Sequence, residues 1–265
     1  YKKYHKYMQF LGYDVKFISF TNPNKKNGYN PLLYIRTTQD IQKITYNFIG
    51  KKTNKTDDYW DDNSTFLINS VISYLYEKKE IYPESCNIPC VIELLRQCGR
   101  PLEGSKICKY LELLEKHRLE YPDSWAVKQY ENIAQAPNKT YDTIVSNALS
   151  KFSTYDTEEM CSFLSADKLD FRCLGQKPTI IFVEVSDTDR STENIVNLFF
   201  TQAISELCIY ADSFTDGELP CPVRFMLDDF PSIYIKDIDV AIANIRSRKI
   251  SLFLVIQNFA QLKNT

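Results

Sequence analysis

The chain has 265 residues, 44% of them hydrophobic and 25% charged, with a formal net charge of −2. That length supports one large domain or two ordinary ones without covalent staples, and only seven glycines argue against a glycine-rich barrel or repeat protein. The charge balance excludes a uniform polycation, and no apolar run approaches the roughly 18 residues that a membrane-spanning helix requires.

Charge is unevenly spread. Residues 1–55 carry eleven Lys or Arg against Asp14 and Asp40, whereas 205–230 carry six acids against Arg224 alone. A basic face for a polyanion and an ordinary solvated lysine-rich surface both fit this pattern. The cysteines at 86, 90, 98, 108, 161, 173, 208 and 221 contain no C-x-x-C pair, so they read as reduced, largely buried thiols of a cytosolic protein. His5 and His117 lie far apart, without a nucleophile in a recognisable turn, and read as surface residues. The chain opens mid-pattern at Tyr1-Lys-Lys-Tyr and stops just after a strand-like run, so it reads as a piece of a longer protein.

The periodicity predicts a first helix over 1–10, with Tyr4, Tyr7, Met8 and Leu11 on one face, ended by Gly12. Val15–Phe20 alternates as a strand does, and Asn22-Pro23 and Gly28-Tyr-Asn-Pro31 break the chain. From Asp40 the period becomes helical. Asp40–Lys52 offers Ile41, Ile44, Tyr46 and Phe48 as its buried side, and Thr65–Glu80 repeats the spacing through Leu67, Val71 and Leu75. Further stripes follow at Val91–Cys98, Ile107–Leu114, Ala126–Ile133 and Tyr141–Phe152, and Asp156 with Glu159 reads as a cap opening one more short helix. Residues 39–167 are therefore expected to form an all-α domain inserted between 1–38 and 168–265.

From Lys177 the period changes again. Pro178–Val185, Val223–Leu227 and Ile250–Ile256 are apolar runs of the kind found in strands covered on both faces, alternating with helices at 195–211 and 237–246. That order predicts a parallel α/β sheet, which the strand at 15–20 is expected to join.

Ligands of such sheets bind beyond the carboxyl ends of the strands. Three strand ends carry polar groups: Asp187 and Asp189, Asp228 and Asp229, and Gln257. An apolar strand delivering adjacent acids is how phosphate-handling α/β proteins set a Mg²⁺ ligand beside a water-orienting group; a core strand ending in a solvated Asp-Asp turn is the alternative. Arg246 and Arg248 precede the last strand and suit phosphate through bidentate contacts, or simply complement a helix C-terminus. No G-x-x-x-x-G-K-[ST] phosphate loop occurs in 1–265. A metal nuclease using Glu184, Asp187 and Asp228 would want a lysine near those acids, and 180–189 has none.

Gly12-Tyr-Asp-Val with the Asn-Pro and Tyr-Asn-Pro turns, Tyr59-Trp60, Gly175–Val183, Phe225–Phe230 and Arg246–Ser251 with Gln257 follow one another as in a known family. The chain resembles the type IV secretion coupling proteins, the TraG-type conjugative DNA-transfer ATPases. The resemblance implies a RecA-like, P-loop NTPase-type domain, incomplete here and interrupted by the all-α domain. It implies Asp228 holding Mg²⁺ through water, Asp229 orienting the attacking water, Gln257 sensing the γ-phosphate, and an arginine of 246–248 reaching a neighbouring subunit's nucleotide; the strand-end placement adds Asp187 and Asp189 beside the nucleotide and metal. Asp229 stands where the family has the longer Glu. The family's phosphate loop and membrane anchor would lie upstream of Tyr1. The implied cofactors are ATP and Mg²⁺ in the full-length protein. The implied partners are relaxase-bound DNA or effector proteins, secretion-channel components and further copies in a hexamer, at the cytoplasmic face of the bacterial inner membrane. A non-catalytic docking module for DNA or relaxase built on 40–165 is the second reading; without the phosphate loop, 1–265 alone is expected not to hydrolyse ATP.

Overall fold

The computed structural model describes residues 3–50, 58–99, 108–186, 188–228, 242 and 244–255. In chain order the elements are α1 (His5–Phe10), β1 (Asp14–Ser19), α2 (Thr38–Ile49), α3 (Asp58–Glu77), α4 (Ile88–Gln97), α5 (Lys109–Glu120), α6 (Trp125–Glu131), α7 (Asn138–Ser150) and α8 (Glu158–Leu164). They continue with α9 (Cys173–Gln176), β2 (Thr179–Glu184), α10 (Glu193–Asp212), β3 (Val223–Leu227) and β4 (Ile250–Leu254). They fall into two compact units, Tyr1–Gly28 with Lys168–Thr265, and Tyr29–Asp167. Among the described residues no helix is long and apolar enough to cross a membrane.

In the first unit β1 pairs in parallel with β2, Asp14 opposite Thr179 and Ser19 opposite Glu184. β3 pairs in parallel with β4, Val223 opposite Ile250 and Leu227 opposite Leu254. The described strands thus form two separate two-stranded sheets rather than the single sheet expected. α10 ties them together through rings. Phe199 packs edge-on against Phe20 just beyond β1 and against Phe171, while Phe200 meets Phe225 of β3. Edge-to-face contacts of this kind add to the burial of large apolar surfaces.

Among the described residues, the β3–β4 pair is not covered on both faces. Along β3 burial alternates, with Val223, Phe225 and Leu227 inward and Arg224 and Met226 outward. Met226 is 71% exposed and its cross-strand neighbour Phe253 is 52% exposed. The period-2 pleat puts successive side chains on opposite faces, and only one face of this pair meets packed rings among the described residues.

The second unit is helical and built around α3. Thr37 opens α2 with a capping box: its hydroxyl accepts from Asp40 N, and the Asp40 carboxylate accepts from Thr37 N at 3.0 Å. α2 buries Ile41, Ile44, Thr45 and Phe48, and Gly50 ends it at φ +83°. Tyr46, expected on the buried side, is exposed, because the inward set follows i, i+3, i+4, i+7 and position 46 points away from it. Phe48 stacks on Phe152 and meets Tyr155 edge-on.

Along α3 small residues let neighbours approach closely. Ser64 donates to Ile144 O of α7, and Ser70 donates to Ala126 O of α6 while facing the Tyr110 hydroxyl of α5 at 2.8 Å. Asp61 pairs with Lys151 at 2.8 Å and accepts from Asn147. The cap of α8 is Thr157, whose hydroxyl accepts from Met160 N, one residue after the expected Asp156. His117 is buried, not a surface residue: with Tyr110 and Leu114 it forms the inward stripe of α5. All eight cysteines are free, and Cys86, Cys98, Cys108 and Cys173 are buried.

Candidate functional site

β3 is the strand whose carboxyl end carries the acids. Its buried residues fix it against α10, and the ladder closes with Val255 N donating to Leu227 O at 3.0 Å. That last backbone bond holds the turn at Asp228, which stands exposed with no ion-pair partner among the described residues. Asp229, Gln257 and Asp187 lie outside the described residues.

Asp189 follows β2 in a tight loop. Its carboxylate accepts from Ser191 N at 2.9 Å, and this backbone hydrogen bond, with the Ser191 hydroxyl, holds its pKa below the usual aspartate range. Asp189 N and Thr188 N both donate to Ser186 Oγ. These bonds order the chain just before the first turn of α10. Asp189 therefore serves its own loop, in the side-chain-to-backbone manner of short polar residues in turns.

The arginines sit at the opposite end of the β3–β4 pair. Arg246–Arg248 forms one 3-10 turn before β4, closed by Lys249 in the left-handed region at φ 59°. Five residues of strand, about 16 Å, separate this end from Asp228, so the same-chain arginines and Asp228 are not brought together. Arg248 is held by Asp212 in a two-pronged pair, Nε to Oδ1 at 2.8 Å and Nη2 to Oδ2 at 3.1 Å, and its Nη1 donates to Asn244 O. Asp212 raises the Arg248 pKa further. Arg246 stands exposed.

At the carboxyl end of the other pair, Glu184 gathers hydroxyls. Its carboxylate accepts from Ser19 Oγ and, at 2.8 Å, from Thr21 Oγ1, while Ser19 Oγ also accepts from Asn22 N at 2.9 Å. Sequence reasoning named Glu184 only as a nuclease ligand and did not find Ser19 or Thr21. No pattern in the sequence marks them, because only the parallel register sets Ser19 opposite Glu184.

Among the described residues no group of three or more His, Cys, Asp or Glu side chains is arranged to hold a metal ion. Mg²⁺ keeps most of its waters and commonly takes only one or two carboxylates, the rest coming from phosphate oxygens. An exposed Asp228 at a strand end, without an ion-pair partner among the described residues, fits such a water-mediated role.

The chain matches the family model described as Type IV secretory system Conjugative DNA transfer over residues 2–265. Among solved structures it is similar to the bacterial conjugative coupling protein TrwBdeltaN70 in its trigonal form with sulphate. The TM-score is 0.60 at 10% identity, covering 97% of this chain and 59% of that one. It is also similar to the plasmid coupling protein TrwB in complex with ADP and Mg²⁺, with a TM-score of 0.56 at 10% identity, covering 97% of this chain and 60% of that one. Its complex with the non-hydrolysable GTP analogue GDPNP gives a TM-score of 0.56 at 10% identity, with coverages of 97% and 59%. The likeness at such identity is one of mixed α/β fold. The chain spans about three-fifths of the length of these structures. No curated protein sequence matches it significantly.

Proposed function

Since the chain belongs to the type IV secretory conjugative DNA-transfer family, we propose that it is the cytosolic part of a coupling ATPase that feeds relaxase-bound DNA, or an effector protein, into a secretion channel. The observation that carries this reading is Asp228, exposed at the carboxyl end of a parallel strand pair and without an ion-pair partner among the described residues. In this proposal the first unit is the incomplete RecA-like nucleotide domain, and the helical unit Tyr29–Asp167 is the inserted domain that recruits substrate.

Asp228 would hold Mg²⁺ through water, and bound Mg²⁺ supplies neutralisation of charge on the β- and γ-phosphate oxygens. Asp229 would orient the attacking water and Gln257 would sense the γ-phosphate, with Asp187 beside them. Arg246 is the better candidate to reach a neighbouring copy's nucleotide. It is exposed at the far end of the sheet, whereas Arg248 is already committed to Asp212. A hexamer at the cytoplasmic face of the inner membrane, with the phosphate loop supplied from outside 1–265, completes the proposal.

The test is plasmid transfer by donor cells whose gene for this protein encodes Asp228→Asn. Loss of a water-mediated metal contact is expected to lower transfer about 10- to 100-fold at unchanged protein level. Undiminished transfer would refute the role given to Asp228. Titration of ATP–Mg²⁺ into the isolated 265-residue chain is expected to show neither tight binding nor turnover, and either one would contradict the division of the site.

A further inference from the structure

The first thirteen residues repeat an aromatic at every third position, Tyr1, Tyr4, Tyr7, Phe10 and Tyr13, and the early gaps are filled by Lys2, Lys3, His5 and Lys6. The expected reading was a helix with one apolar face. The structure has the helix, α1, and buries none of its residues. Tyr4 is 50% exposed, Tyr7 58% and Phe10 85%. A three-residue step advances about 4.5 Å along a helix and turns 300°, so Tyr4, Tyr7 and Phe10 follow one another along a shared side of α1, drifting 60° per step. That shared side is exposed, so the rings are displayed and not packed in a core among the described residues.

Charge accompanies the rings. Lys3 and Lys6 are exposed, and Lys3 Nζ lies 5.3 Å from the centre of the Tyr4 ring. The acid nearest in sequence, Asp14, is consumed by Lys177 at 2.8 Å, a pairing that holds the Asp14 carboxyl below its usual range. Among the described residues Lys3 and Lys6 have no ion-pair partner, and they stand beside exposed rings on α1 and its flanks. A neutral apolar partner would leave the lysines unused, and a duplex hides its base faces in the stack. A single nucleic-acid strand uses both features, phosphates on lysines and bases on rings.

We propose that α1 and its flanks form a single-stranded DNA-binding surface, with Lys3 and Lys6 on phosphates and Tyr4, Tyr7 and Phe10 stacking against bases. The choice of DNA over RNA rests on the function proposed above; the location and the stacking mode rest on α1 alone.

The test is fluorescence anisotropy of the 265-residue chain with a labelled oligothymidylate of about 16 nucleotides, the upper end of a single-strand site. Tyr7→Ala with Phe10→Ala is expected to weaken binding at least about tenfold without changing its salt dependence. Lys3→Gln with Lys6→Gln is expected to flatten the log–log salt slope by about 1.4, at about 0.7 per phosphate contact. An abasic oligomer of the same length should bind the unaltered chain as weakly as the Tyr7/Phe10 double variant binds oligothymidylate. Because these side chains are exposed, thermal midpoints should not move, and Tyr7→Phe should bind like the unaltered chain. Failure of the chain to bind the oligomer, or full-strength binding by the Tyr7/Phe10 variant, would overturn the proposal. Neither result would bear on the coupling role, which the Asp228→Asn transfer experiment tests separately.

Discussion

Glu77 makes four hydrogen bonds within the helical unit. It ends α3 and points at the start of α6, where Oε1 accepts from Trp125 N at 3.0 Å and Ala126 N at 3.2 Å. Oε2 accepts from Ser124 Oγ at 2.7 Å and from His117 Nε2 at 2.5 Å. A carboxylate only accepts, so Nε2 carries the hydrogen, and the buried Nδ1 has no hydrogen-bond partner among the described residues. The carboxylate thus satisfies two of the four orphan N–H groups that begin α6 and complements its dipole, while fixing a buried imidazole. Glu77→Ala removes all four contacts and leaves His117 Nε2 without the acceptor it has among the described residues, at an expected cost of about 3–5 kcal/mol. Glu77→Gln keeps an oxygen for α6 but turns an NH₂ toward Nε2. The hydrogen must then move to Nδ1, where it is buried and unmet, at about 1–3 kcal/mol. Urea unfolding followed by tryptophan fluorescence measures this cleanly, because both tryptophans, Trp60 and Trp125, lie in the helical unit. The expected order of stability is unaltered, then Gln, then Ala, with the alanine variant melting about 10 °C lower. An alanine variant within about 1 kcal/mol of the unaltered chain would refute the reasoning, because it falls below the cost of orphaning even one buried donor.

Two further outcomes can be checked. Phe199→Ala removes the ring that meets Phe20, Phe171 and Phe200, so far-UV circular dichroism should record a loss of about 3–5 kcal/mol; a smaller loss than Ile→Val-type trimming would mean that Phe199 does not anchor α10 against Phe20 and Phe171. Burial raises the Cys86 thiol from 9.0 to about 11. At pH 8 its alkylation, followed by peptide mass spectrometry, should be about 100-fold slower in the folded chain than in urea. A thiol with a raised pKa adds stability that is intact below pH 9 and lost as pH climbs toward 11. Equal alkylation rates in both states would contradict the burial.

Much of the helical unit was legible in advance because helical burial is periodic. Ile41, Ile44 and Phe48, then Leu67, Val71 and Leu75, are buried where the spacing put them. The failures have local causes. Tyr46 was counted inward for its chemistry although its angle around α2 points away, and Asp156 lost the cap to Thr157, an equally competent neighbour. His117 was taken for a surface residue because its partner is 40 positions away in sequence, and only the packing of α5 on α3 creates the need for it. At the candidate site the acid at the end of β3 was legible from an apolar run stopping at Asp228. The commitment of Arg248 to Asp212 and the hydroxyls around Glu184 were not, since they depend on register and on contacts across 36 and 165 positions.

By itself the sequence determined the alternation of strand-like and helix-like periods, the acid at the strand end, the missing phosphate loop and the family resemblance, all properties of residues near one another along the chain. Tertiary structure alone decided which faces of the strands are covered, that the arginines stand at the other end of the sheet from Asp228, and that the rings of α1 are displayed. Those depend on which distant segments come to lie against each residue, and burial and pairing are properties of that neighbourhood, not of the residue.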